Sequence, residues 1–272
     1  MDTKLFTKDG KYLMLALDHR GSFKKFIDKE APENLTDAEV IGAKKEIIDS
    51  VEDLFSGVLV DPDWGLPAYT KKVKPYLLCL EKSGYEEVKG ERETVLGYKV
   101  EDLKKLGAAG TKLLVYLNPE ASNTDKQLEI AKEALEDSHK NGLPLFLEIV
   151  TYGNEEKGGS RAVWISRSLD LFLDNSVIPD VWKLEYPGGA ESCREITAKV
   201  GAVPWILLTR GEPYDVFKEQ LKTAIDAGAQ GFLAGRAIWQ EMANYTGEAR
   251  KDFLQTIARN RFAEICNITL GK

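Results

Sequence analysis

The chain has 272 residues, 43% of them hydrophobic and 30% charged, with a formal net charge of −7. That apolar content suffices for a sizeable core, and at this length an α/β barrel is usually a single domain. The acidic balance excludes broad binding to nucleic acid or to an anionic membrane, both of which call for basic patches, but a small anion held by local basic residues stays open.

The start of the chain, Met1-Asp2-Thr3-Lys4, is too polar for a signal peptide, so a cytoplasmic location is expected. The first apolar run of strand length covers residues 12–17 and ends in Asp18-His19-Arg20. Thr36, with Glu39 three residues later, forms a capping box that opens a helix reaching about residue 55. A second run, 57–60, ends in Asp61; a third, 76–80, leads into a polar connection over 83–94 whose structure the pattern leaves open. The fourth, 112–117, begins with Lys112, and the helix after it opens at Asn123 or Thr124 and closes at Asn141-Gly142. The fifth run, 143–150, carries Glu148, with a helix predicted over 160–173. The sixth, 181–186, carries Lys183 and Glu185 and precedes a helix over 190–200. The seventh, 205–208, ends in Thr209-Arg210-Gly211 before a helix over 213–227; the eighth, 231–235, ends in Gly235-Arg236 before a final helix over 248–265.

Continuous apolarity, rather than strict alternation, marks strands buried on both faces. Eight strand–helix alternations predict a parallel sheet closed by right-handed crossovers into one (β/α)8 barrel spanning 1–272. An open doubly wound sheet is the alternative, and no Gly-x-Gly-x-x-Gly follows the first strand to support it.

In such a barrel the chemistry sits at the C-terminal strand ends, so the polar residues there are the candidates. Lys183 stands out, flanked by Trp182 and Leu184 on a strand that should be buried. Only about 0.04% of an ordinary lysine is free base at pH 7, and burial or a positive neighbour favours the neutral amine that attacks a carbonyl. Lys112 is the expected positive neighbour and Glu148, between them, the expected proton shuttle. By strand parity Glu185 shares the face of Lys183. The same spacing also suits a purely supporting ion pair, Lys183–Glu185 or Lys112–Glu148, inside the barrel. Thr209, Arg210 and Gly211 after strand seven, and Gly235 and Arg236 after strand eight, combine glycine amides, helix starts and guanidinium groups where barrels hold phosphate. The competing reading pairs Arg236 with Glu241 on the surface. His139 reads as surface; His19, beside Asp18, reads as a site residue. Two histidines and the scattered Cys79, Cys193 and Cys266 predict no disulfide framework and no zinc site.

Together the segments Ala16-Leu17-Asp18-His19-Arg20-Gly21-Ser22-Phe23, Lys112-Leu113-Leu114-Val115-Tyr116, Leu147-Glu148-Ile149-Val150-Thr151-Tyr152, Trp182-Lys183-Leu184-Glu185-Tyr186-Pro187 and Gly231-Phe232-Leu233-Ala234-Gly235-Arg236-Ala237-Ile238-Trp239 resemble the class I tagatose-1,6-bisphosphate aldolase family, with its sulfofructose-phosphate relatives. The resemblance covers nearly the whole chain. It implies that Lys183 forms the Schiff base, that Glu148 is the acid/base, that Lys112 and Asp18 line the site, and that Gly235 and Arg236 bind the substrate's anionic end. It further implies a metal-independent, cofactor-free enzyme acting on a small phosphorylated sugar. His19 and the Glu148–Tyr152 segment match the tagatose version, whereas Leu208-Thr209-Arg210-Gly211 departs from the family's Leu-Ser-x-Gly. Sulfofructose phosphate and a deoxy-keto-sugar acid phosphate are therefore alternative substrates. Alternative classes are a Mg²⁺-dependent lyase using Asp18, Asp61 and Glu148, and a sugar-phosphate sensor without turnover. The sequence leaves the oligomeric state open, a homo-oligomer included.

Overall fold

A computed structural model describes residues 1–153 and 160–272. Eight parallel strands form a closed barrel: β1 Lys11–Leu17, β2 Gly57–Val60, β3 Tyr76–Cys79, β4 Gly110–Leu117, β5 Leu145–Thr151, β6 Val181–Leu184, β7 Trp205–Leu208 and β8 Gly231–Ala234. Each pairs with the next, and β8 closes on β1 in the register Leu233↔Met14. Strands β4 and β8 therefore stand on opposite walls, and so do β2 and β6. The crossover helices are α1 Asp37–Val51, α2 Gly65–Ala68, α3 Val100–Lys105, α4 Thr124–Lys140, α5 Arg161–Asp174, α6 Ala190–Val200, α7 Tyr214–Asp226 and α8 Arg259–Leu270.

The apolar runs separate into two cores by parity. Leu13, Leu15 and Leu17 of β1 point outward and pack beneath the helices, with Val58 and Val60 of β2. Met14 and Ala16 point inward with Leu59, Leu77, Phe146 and Leu233 to fill the barrel. Each such side chain withdrawn from water contributes roughly 1.5–3 kcal/mol, so strands apolar on both faces are stable only in this sandwiched position. Phe6, from the segment before β1, closes the floor edge-on against Phe146 at 5.2 Å. Gly231 allows β8 to meet β1, because a Cβ there would lie 2.1 Å from the Tyr12 carbonyl oxygen.

The predicted capping box of α1 is present: the Glu39 amide donates to Thr36 Oγ1, and the Thr36 amide donates to Glu39. Two segments differ from the sequence reading. The polar connection after β3 contains an antiparallel hairpin, Glu86–Val88 with Glu91–Glu93, ahead of a short α3. It is pinned over β4 and β5, since Thr94 Oγ1 donates to the Leu114 carbonyl and the Arg92 amide donates to the Tyr152 hydroxyl. The final helix expected over 248–265 is present as one unbroken run from Gly247 to Leu270, longer than expected and carrying a π-helical turn at Leu254–Ala258 between Gly247–Phe253 and α8. Such single π turns, bonded from i to i+5, occur inside otherwise regular α-helices. Among the described residues no helix is long and apolar enough to cross a membrane.

Candidate active site

A cavity of about 380 Å³ opens at the C-terminal end of the barrel, lined by Ala16 within β1 and Asp18 just after it, by Lys112, Leu114 and Tyr116 of β4, by Glu148 and Val150 of β5, and by Lys183 of β6. Alternate residues of each strand line it, as the pleat dictates. This volume lies within the usual range for small-molecule sites.

The centre is an ion cluster. Glu148 and Lys183 are register partners across β5 and β6, and one oxygen of Glu148 lies 2.8 Å from Lys183 Nζ and 2.7 Å from Lys112 Nζ. Lys112 Nζ also lies 2.9 Å from Asp18 and 2.6 Å from Glu81. Burial pushes the Glu148 carboxyl upward, but Lys112 and Lys183 outweigh it and hold the group below its ordinary value. Partial burial likewise pushes Asp18 upward, yet Lys112, Lys183 and His19 hold it well below the usual carboxylate range. Burial opposes the Lys112 charge, and Asp18, Glu148 and Glu81 together drive its pKa well above the ordinary value. Lys112 is thus a fixed cation whose charge is already met by three carboxylates. The Lys112–Glu148 pair considered from spacing exists; a Lys183–Glu185 pair does not. Glu185, just past β6, is turned instead toward the neighbouring strand ends. It accepts from the Thr151 amide and hydroxyl at 2.8 and 2.7 Å and pairs with Arg210. Its burial raises its pKa, against the pull of Arg210.

The strand-seven and strand-eight ends behave differently from each other. Arg236 lines the cavity, its guanidinium resting over Phe26 at 5.9 Å and against Gly211, where a Cβ would meet its Cζ at 2.9 Å. No carboxylate among the described residues pairs with Arg236, and its Nε has no partner. Burial lowers its pKa, yet an arginine stays charged, so a half-buried cation faces the cavity with no carboxylate partner among the described residues. Glu241, the alternative partner considered from sequence, is held at both oxygens by Arg261 at 3.0 and 3.2 Å. Arg210 also reaches the cavity wall, but its guanidinium is engaged by Glu185, with its backbone at φ 49°. The helix following Gly235 has only four residues, so little dipole is available there and the charge of Arg236 dominates. Thr209 is buried in the wall.

His19 packs edge-on against Trp239 at 5.3 Å, its Nδ1 3.9 Å from Asp18. Burial pushes its pKa down to about 3, against Asp18. Arg20 does not stand free: it donates to the Glu81 carbonyl at 2.6 Å and to the Tyr98 hydroxyl at 3.3 Å, bracing the loop that presents Glu81. Asp61 lies outside the cavity. It is fully buried against Lys44 and accepts from the amides of Asp63, Trp64 and Gly65. The oxygen triad of Asp18, Asp61 and Glu148 is therefore not assembled; Lys44 claims its middle member. Among the described residues no group of three or more His, Cys, Asp and Glu is arranged to hold a metal ion.

Sequence reasoning passed over four groups. Glu81 directly follows the third run, on the inward parity of Leu77 and Cys79, and Tyr116 shares the parity of Lys112; both were legible by the rule that found Lys183. Arg92, on the hairpin, had no such signal. Neither did Lys44, which donates to the carbonyls of Leu17 and His19 at 2.9 and 2.8 Å and so brackets Asp18 from outside the barrel.

A family model described as DeoC/LacD family aldolase matches residues 12–241. A tagatose 1,6-diphosphate aldolase of Staphylococcus aureus is 29% identical, the match covering 93% of this chain and 89% of that one. Among solved structures, a Schiff-base-forming fructose-1,6-bisphosphate aldolase superposes with a TM-score of 0.67 at 20% identity, covering 94% of this chain and 96% of its own. An archaeal fructose 1,6-bisphosphate aldolase gives 0.71 at 19% identity, covering 99% and 97%. At those identities the two structures speak for the barrel fold, while the family match runs from the first barrel strand through the last and takes in every member of the ion cluster. The chain belongs to the DeoC/LacD family of aldolases.

Proposed function

We propose that this aldolase cleaves a ketose phosphate by imine catalysis from Lys183, with tagatose 1,6-bisphosphate as substrate and dihydroxyacetone phosphate and glyceraldehyde 3-phosphate as products. The observation that carries this reading is the Lys183 amine inside the cavity, 2.8 Å from a carboxylate able to take its proton. Arg236 on the same cavity, without a carboxylate partner among the described residues, supports an anionic substrate. The Staphylococcus relative, a tagatose 1,6-diphosphate aldolase by name, supports the choice of sugar.

The protons balance through Glu148. Transfer from the Lys183 ammonium to Glu148 leaves an amine and a carboxylic acid. The amine adds to the C2 carbonyl; Glu148 then protonates the carbinolamine hydroxyl, water leaves, and an iminium forms. The Glu148 carboxylate removes the proton from the C4 hydroxyl, the C3–C4 bond breaks, and its electron pair moves into the iminium to give an enamine while the aldehyde departs. Glu148 returns the proton to C3, and water hydrolyses the imine. A positioned acid/base of this kind contributes about 10²–10⁴-fold in rate. Asp18 and Glu81, by holding Lys112, keep that ammonium against Glu148 through the cycle.

Borohydride reduction in the presence of dihydroxyacetone phosphate should add the three-carbon fragment to the peptide containing Lys183 and abolish turnover. Labelling at Lys112 instead would overturn the assignment. A panel of ketose bisphosphates differing at C3 and C4, read as dihydroxyacetone phosphate released, tests the sugar.

A further inference from the structure

Arg92 has no place in the chemistry described so far, yet it lines the same cavity as Lys183 and Arg236. Three tyrosine rings surround its guanidinium: Tyr85 at 4.7 Å, Tyr152 at 4.9 Å and Tyr116 at 5.8 Å from ring centroid to Cζ. The rings come from three elements, the loop before the hairpin, the end of β5, and β4. No carboxylate among the described residues pairs with this guanidinium. The nearest candidate on its own strand, Glu91, is spent on the Ser122 amide and hydroxyl at 2.7 and 2.9 Å. Aromatic faces attract the cation without using its N–H donors, so the planar fork remains available to an oxyanion. The hairpin holds the group in place through the Arg92 amide, which donates to the Tyr152 hydroxyl at 3.0 Å.

The position matters as much as the chemistry. Tyr116 belongs to β4, which faces β8 across the barrel; Arg236 follows β8. Two guanidinium groups without carboxylate partners among the described residues thus stand at opposite walls of one cavity, with Lys183 of β6 on the arc between them.

We propose that Arg92 binds the second phosphate of the substrate, so that the enzyme selects ketoses charged at both ends. This rests on the ketose-phosphate reading of the cavity, but not on Lys183 being the imine-forming residue. Arg236 takes the phosphate nearer C2, and Arg92 the one at the far end of the chain.

The test uses two polyols, a hexitol 1,6-bisphosphate and a hexitol 1-phosphate. Neither has a carbonyl, so neither forms an imine and binding is read apart from the chemistry. Calorimetric titration should show the wild type preferring the bisphosphate. Arg92→Gln should weaken the bisphosphate about ten- to a hundredfold, the loss expected for hydrogen bonds to a charged group, and leave the 1-phosphate nearly unchanged. Arg92→Lys, which keeps the charge but loses the fork, should fall between them, and it serves as the folded comparison if the glutamine variant is unstable. Equal weakening of both polyols, or no weakening of the bisphosphate in either variant, would overturn the proposal. Failure to label Lys183 with borohydride would instead strike the imine reading and leave this binding result standing.

Discussion

Replacing Lys112 with methionine tests the electrostatic logic of the site directly. Its ammonium lies 2.7 Å from Glu148, 2.9 Å from Asp18 and 2.6 Å from Glu81. Unit charges 2.7 Å apart at an effective dielectric of about 20 attract by roughly 6 kcal/mol. One ammonium shared among three carboxylates delivers less than that to each, and an opposite charge at such range typically moves a carboxyl by about 1–3 pKa units. Burial already pushes Glu148 upward, and only Lys112 and Lys183 hold it down. Without Lys112 the carboxyl should therefore rise. Since the ionised form must accept protons, the acid limb of the kcat/KM profile should move to higher pH with it. Breaking a buried ion cluster also costs about 3–5 kcal/mol of stability, so the profile should be taken well below the variant's Tm. Lys112→Arg keeps the charge and should leave the limb close to its original place. The ionisation of the substrate phosphate is common to all three proteins and cancels in the comparison. An acid limb unmoved in folded Lys112→Met would refute the argument that this ammonium sets the proton affinity of Glu148.

Further expectations follow from the same geometry. Arg236→Gln should lower kcat/KM on a phosphorylated ketose by about one to two orders of magnitude, and Gly211→Ala should do part of the same damage, because its Cβ would meet the Arg236 guanidinium at 2.9 Å with φ at +81°; unchanged kinetics in both would remove the anion from this wall. Turnover should survive exhaustive EDTA treatment, since a protonated imine serves as the electron sink; loss restored by added Mg²⁺ would contradict it. His19 titrates at about 3 in the fold against an ordinary 6.5, so the unfolded chain binds the extra proton: stability is full above pH 6.5 and falls as pH drops toward 3, by about 1.4 kcal/mol at pH 5.5. His19→Gln should flatten that slope in urea titrations at pH 7.5 and 5.5, and an unaltered slope would count against it. Lys44→Met, which strands Asp61 without its partner, should cost about 3–5 kcal/mol, read as a lowered urea midpoint; a midpoint within error of the wild type would show the pair to be dispensable.

Period and parity made the barrel, and the charged residues that face its interior, legible in the sequence. Eight apolar runs too short for helices and apolar on both faces leave a closed parallel sheet as the economical burial, and a lysine or glutamate interrupting such a run must face its interior. Lys183, Glu148 and Lys112 followed from that rule, and Glu81 and Tyr116 obey it too. What the linear pattern cannot carry is which partner a charged side chain takes, because that depends on tilt, loop course and competition among neighbours far apart in the chain. Arg210 turned to Glu185, Arg20 to the Glu81 carbonyl, and Asp61 to Lys44, 17 residues away on a crossover helix. Arg92 belongs to a hairpin with no hydrophobic period to reveal it, and only the closure of the barrel brings it opposite Arg236. Strand periodicity is enforced by burial at every residue, so it is written locally; charge pairing is decided by a few ångströms in the folded mouth, so it is written nowhere but there.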